Sequence, residues 1–141
     1  MASRFRYGLQ PLLTDALERE RVARRVHLEA VSALDLAIRE LVALERCAVA
    51  LGVRLRERGA GWFRREVDRG LARLDAARLV RQHEIEVARR SVGAARAELD
   101  IAVRRRMQLE RHRARRLERH RLEREIEEEA EVEEFSKVAS L

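Results

Sequence analysis

The chain has 141 residues, of which 40% are charged, 46% hydrophobic and 4% aromatic, and its formal net charge is +6. One proline and six glycines leave almost no turn chemistry, which argues against a sheet of many short strands and against a compact enzyme with a buried pocket. The predominance of Ala, Leu, Glu and Arg is the composition of long helices and coiled coils.

Of the 31 basic residues only Lys137 is lysine, a bias we attribute to codon composition, since a binding surface has no need to exclude Lys everywhere. The single cysteine, Cys47, allows no intramolecular disulfide and fits a reducing compartment. It flanks the helical repeat described below and reads as a small packing residue. No apolar run approaches the ~20 residues of a membrane span. The start, Met1 to Tyr7, carries two arginines but no signal-peptide apolar core follows. A soluble cytoplasmic protein is expected.

In chain order, Pro11 suits the first turn of a helix, where its missing N–H costs nothing. Alternating steps of three and four from Leu13 pass through Ala16, Glu20, Ala23, His27, Ala30, Leu34, Ala37, Leu41, Leu44, Ala48, Leu51 and Leu55. All but Glu20 and His27 are apolar, the signature of a coiled-coil seam. Leu17, Val31 and Ile38, with Val26 and Ala33 on the other flank, are expected to widen the stripe. His27 reads as a partly buried core histidine. Asp15–Arg19, Glu20–Arg24 and Asp35–Arg39 are acid-before-base pairs at i,i+4. Helix 1 is predicted from about residue 11 to 58, roughly 70 Å at 1.5 Å per residue.

Gly59-Ala60-Gly61 breaks the pattern, and Gly59 can adopt the left-handed conformation that ends a helix. The repeat resumes at Val67 and runs through Leu71, Leu74, Arg78, Arg81, Ile85, Ala88, Val92, Ala95, Leu99 and Ala102, with only the two arginines polar. Gly52, Gly70 and Gly93 interrupt helical pattern at about 1 kcal/mol each relative to Ala, without splitting the helices. Helix 2 is predicted from about 62 to 134. A short turn between two long amphipathic helices makes them antiparallel neighbours, with residue i facing roughly 120 − i. The expected fold is all-α, a single coiled-coil hairpin with an overhanging C-terminal helix. Beyond about residue 112 the second helix has no expected partner in helix 1. Past Ala102 the seam loses its strict repeat, with Arg106, Arg113 and Arg116 falling on it. Trp62 and Phe63 mark the tip, where they cap the helix pair or form a docking knob.

The overhang is polarised. Residues 104–124 hold ten arginines against Glu110, Glu118 and Glu123, a balance of +7, and residues 125–134 hold seven glutamates and no base. Acid at a helix C-terminus opposes the macrodipole, and like charges at i,i+4 repel, so the last turns should fray in isolation.

No catalytic constellation stands out. His83-Glu84 begins like a zincin helix, but no second histidine follows at the required spacing. His112 and His120 lie about 12 Å apart along a helix, too far to share a metal ion. Cys47 has no base arranged with it, and the glycines near residue 60 lack the ending of a phosphate loop. A non-enzyme without cofactor or metal is expected.

The opening Phe5-Arg6-Tyr7-Gly8-Leu9-Gln10-Pro11-Leu12-Leu13 resembles the start of the FliJ family, small stalk proteins of the bacterial flagellar type III export apparatus. The stretch from Leu109 to Glu134, rich in Leu-Glu-Arg and closing on an acidic run, is similar to that family's C-terminal pattern. The resemblance implies an antiparallel two-helix coiled coil similar to the shaft of the rotary ATP synthase. Its terminal end would enter the ring of a hexameric export ATPase, and it would also contact the cytoplasmic domain of the export gate protein. Some members escort export chaperones. On this resemblance the ring-contacting set is Leu9, Leu12, Leu13, Leu109 and Leu117 for packing, with Arg113, Arg116, Arg119, Glu127, Glu128 and Glu131 for electrostatic register. Gate contact maps to Leu71, Ala76, Leu79 and His83; Ala72 and Ala76 stand where bulkier groups are expected. Location is then cytoplasmic, peripheral to the inner membrane.

Two alternatives accompany this reading. An injectisome stalk of a virulence secretion system has the same architecture. A pI near 10.9 also suits an Arg-rich nucleic-acid-binding coiled coil, although interleaved acids and the lack of an aromatic stacking platform argue against it. Taken without the resemblance, the charges read as a solvated helix surface.

Overall fold

A computed structural model describes residues 4–58 and 64–141. The expected turn at 59–61, and Trp62 and Phe63, lie outside the described residues. Two helices, α1 (Gln10–Arg58) and α2 (Arg64–Ala139), account for nearly all of the described chain. They pack against each other as an all-α helical hairpin, and no strand occurs among the described residues. Neither helix is long and apolar enough, among those residues, to cross a membrane. The chain divides into two contact units, Met1–Val22 with Asp100–Leu141, and Ala23–Leu99.

In the Ala23–Leu99 unit the three–four repeat is the packed face. Ala23, His27, Ala30, Leu34, Ala37, Leu41, Leu44, Ala48 and Leu51 on α1 are all half-buried, as are Val67, Leu71, Leu74, Ala88, Val92 and Leu99 on α2, while Ile85 and Ala95 are buried. The antiparallel register holds. Arg81 Nη1 reaches Glu40 Oε2 at 2.6 Å, and Leu51 lies 3.7 Å from where a Cβ on Gly70 would stand; each pair adds to 121, against the expected 120. Gly70 therefore marks a close approach of the helices, whereas a Cβ at Gly52 or Gly93 would meet nothing within 4 Å.

The two polar breaks of the α2 repeat are explained by α1. Arg78 Nη2 lies 3.6 Å from Glu45 Oε1, and Arg81 is held by Glu84 at 2.9 Å as well as by Glu40. The hydrogen bond that Arg81 donates to Glu84 and the charge of Glu40 raise the Arg81 pKa above its ordinary value. At these exposures such pairs add little stability, but they penalise any sliding of the helices that would separate them.

Two expectations fail here. Val31, Ile38, Val26 and Ala33 do not widen the core: all are exposed, because one neighbouring helix covers only a narrow stripe of its partner. Cys47 is exposed and free rather than packed, since it sits one residue, about 100°, from the seam position Ala48.

The Met1–Val22 and Asp100–Leu141 unit has its core at the start of α1. Pro11 occupies the first turn, as expected, Leu13 and Ala16 are buried, and Asp15–Arg19 forms its i,i+4 pair at 2.9 Å. Glu20 is a buried acid, 6% exposed, whose carboxylate meets Arg106 across the helix pair. Arg106 also holds Glu110 at 2.7 Å, and the hydrogen bonds it donates, to Glu20 first and Glu110 second, raise its pKa. The seam arginine thus has an acid opposite it.

Helix α2 runs five residues past the expected end at 134, to Ala139. Arg121–Glu125 at 3.9 Å and Arg124–Glu128 at 3.4 Å tie the last basic turn to the acidic run, offsetting part of the repulsion between its glutamates.

Because Ile85 is among the few buried side chains (7% exposed), Ile85→Ala should destabilise the fold by about 2 kcal/mol. Ile101→Ala, at 58% exposure, should cost no more than about 0.5 kcal/mol. Urea unfolding followed by circular dichroism distinguishes the two.

Candidate functional site: the end formed by the N-terminal segment and the distal part of α2

Residues 4–7 have no regular secondary structure and lead through a turn at Gly8 and Leu9 into α1. Gln10 N donates to Tyr7 O at 3.0 Å and Leu13 N to Leu9 O at 3.1 Å, which fixes where the leader joins the helix. Alternate residues of extended chain share a face, and Phe5 and Tyr7 both turn toward α2. The Tyr7 ring is 9% exposed. Its hydroxyl lies 2.7 Å from His112 Nδ1 and 3.4 Å from the Leu109 carbonyl. With a single proton it donates to one of these; if that is the carbonyl, it accepts from His112. Phe5 packs against His120 with ring centroids 5.5 Å apart, and the Arg113 guanidinium lies 5.9 Å from the Phe5 centroid.

Residues 4–9, which precede α1, add cover to α2 beyond residue 112, as far as the Phe5–His120 contact. The contacts themselves set this reach: Tyr7 meets His112 and the Leu109 carbonyl, and Phe5 meets His120. The unpartnered part begins near residue 125, and residues 125–141 are exposed throughout.

The expected ring-contacting residues all fall in this unit but differ in availability. Leu9, Leu12 and Leu117 are exposed at 39%, 43% and 42%. Leu13, 5% exposed, and half-buried Leu109 are consumed by packing within the chain. Arg116 and Arg119 are exposed, as are Glu127, Glu128 and Glu131, with Glu128 bound to Arg124. Arg113 is engaged by Phe5. Among and just beyond the last acids, Val132, Phe135 and Val138 stand 67–77% exposed.

The expected gate-contacting residues lie in the other unit. Ala76, Leu79 and His83 are exposed at helical steps of three and four, and Leu79 is 67% exposed. Half-buried Leu71 belongs to the seam instead.

Phe5, Tyr7, His112 and His120 were not singled out as a group by sequence. The available signal was the i,i+2 spacing of the aromatics ahead of a helix start, but nothing in the sequence says which turn of α2 lies opposite. No group of three or more His, Cys, Asp or Glu among the described residues is placed to hold a metal ion. No protein-family model, curated protein or solved structure matches the chain.

Tyr7→Phe removes the hydroxyl and leaves the ring. It should cost about 1 kcal/mol and speed amide hydrogen exchange in residues 4–9, measured by mass spectrometry, without altering exchange in Ala23–Leu99.

Proposed function

We propose that the chain is a non-catalytic central stalk of a type III export ATPase complex in flagellar protein export. Its terminal end enters the hexameric ATPase ring and promotes ring assembly and hydrolysis, while the Ala76–Leu79–His83 face meets the cytoplasmic domain of the export gate. Export chaperones are further partners, and the site of action is the cytoplasmic face of the inner membrane. The sequence resemblance to the FliJ family motivates this reading.

The observation that carries it is the exposed end of α2. A helical segment with seven glutamates follows directly on a segment with ten arginines, and it presents Val132, Phe135 and Val138 to solvent. Such a surface has charge for orientation and apolar area for affinity, as a partner-binding helix requires. A helix about 10 Å across suits the central hole of a ring. An injectisome stalk would use the same surface, and a neighbouring gene for the export ATPase identifies the system. The nucleic-acid reading gains no support, because the Phe5 ring is occupied by His120 and Arg113 rather than free to stack on a base.

The test is co-purification with the candidate export ATPase, followed by its turnover rate. Wild type should raise turnover, and replacing the glutamates of 125–134 with glutamine should weaken the stimulation. Unchanged stimulation would remove that segment from the mechanism.

A further inference from the structure

Between residues 4–9 and the turns of α2 from His112 to Glu123 lies an open cleft of about 760 Å³. Its charge is one-sided. Arg4, Arg6, Arg116 and Arg119 line it together with His112 and His120, and Glu123 is the one carboxylate among the lining residues. Elsewhere in the molecule arginines that approach the neighbouring helix meet an acid: Arg78 meets Glu45, Arg81 meets Glu40 and Arg106 meets Glu20. Farther along α2, Arg121 and Arg124 are paired with Glu118 and Glu128. The four cleft arginines form no ion pair with any described residue. Four like charges around one concavity repel each other, and a multivalent anion placed among them removes that repulsion.

We propose that this cleft binds a short phosphate chain, a di- or triphosphate. Guanidinium groups present forked donors that match phosphate oxygens two at a time, and four of them converge here from two separate stretches of chain. The volume falls in the range of small-ligand sites. Arginines from both walls suit a compact polyanion held between them, which favours it over a docked protein segment. Occupancy would also tie the leader to α2, adding to the Tyr7–His112 contact. The site does not depend on the stalk reading.

Isothermal titration of the full chain with sodium tripolyphosphate at about 0.15 M salt, where diffuse charge attraction is screened, tests the site. Saturable one-site binding is expected. The combined Arg4→Gln, Arg116→Gln and Arg119→Gln variant should bind at least about tenfold more weakly. A variant with the same charge change outside the cleft, Arg104→Gln, Arg105→Gln and Arg111→Gln, should bind as wild type does. All six side chains are exposed, so both variants should keep the wild-type helical circular dichroism. Absence of binding overturns the proposal, and so does equal weakening in the two variants, which means diffuse attraction only. A peptide with the sequence of residues 125–134 is the second probe: if it binds the cleft and tripolyphosphate fails to displace it, the site takes acidic protein segments and the proposal fails.

Discussion

The packed face between the two helices is one stripe wide, and this narrowness governs the rest of the molecule. Among the described residues only Tyr7, Leu13, Ala16, Glu20, Ile85 and Ala95 are buried; the other apolar seam positions from Ala23 to Leu51 and from Val67 to Ala102 are half-covered. Two helices in contact can each hide only the residues that recur every three or four positions. Alanine at many of these positions lets the helices come close, but an alanine–leucine stripe says little about register. A shift by one heptad would bury a similar set of side chains.

Register is settled by polar groups that interrupt the stripe. Glu20 opposite Arg106, Glu40 opposite Arg81 and Glu45 opposite Arg78 each lie at or beside positions where the apolar repeat fails. A slip would pull the buried Glu20 away from Arg106, and separating a buried acid from a facing cation costs more than the pair gains on forming. The exposed pairs contribute less, yet their geometry excludes the same alternatives. Polar interruptions that look like defects in the repeat therefore act as its alignment marks.

The distal unit depends on a second set of contacts, those of residues 4–9 with α2, in which the aromatic pair Phe5 and Tyr7 meets His120 and His112. Leader and helix both bring arginines to the space between them. The acidic run beyond has no covering chain, and its charges and apolar side chains remain available.

Helix existence, the packed face, the antiparallel register to within a few residues and the Asp15–Arg19 and Asp35–Arg39 pairs were legible in the sequence alone. All of these depend on residues near each other in the chain or on a period, and local physics decides them. The exposure of Cys47, Val31 and Ile38 was not legible, because the width of the covered stripe depends on how many helices pack. Nor was the half-burial of Leu109, or the cleft formed by Arg4, Arg6, Arg116 and Arg119. Those depend on which turn of α2 stands beside a leader more than 100 residues away in sequence. Periodicity carries no information about that distance; only the folded chain, by placing extended and helical segments side by side, fixes it.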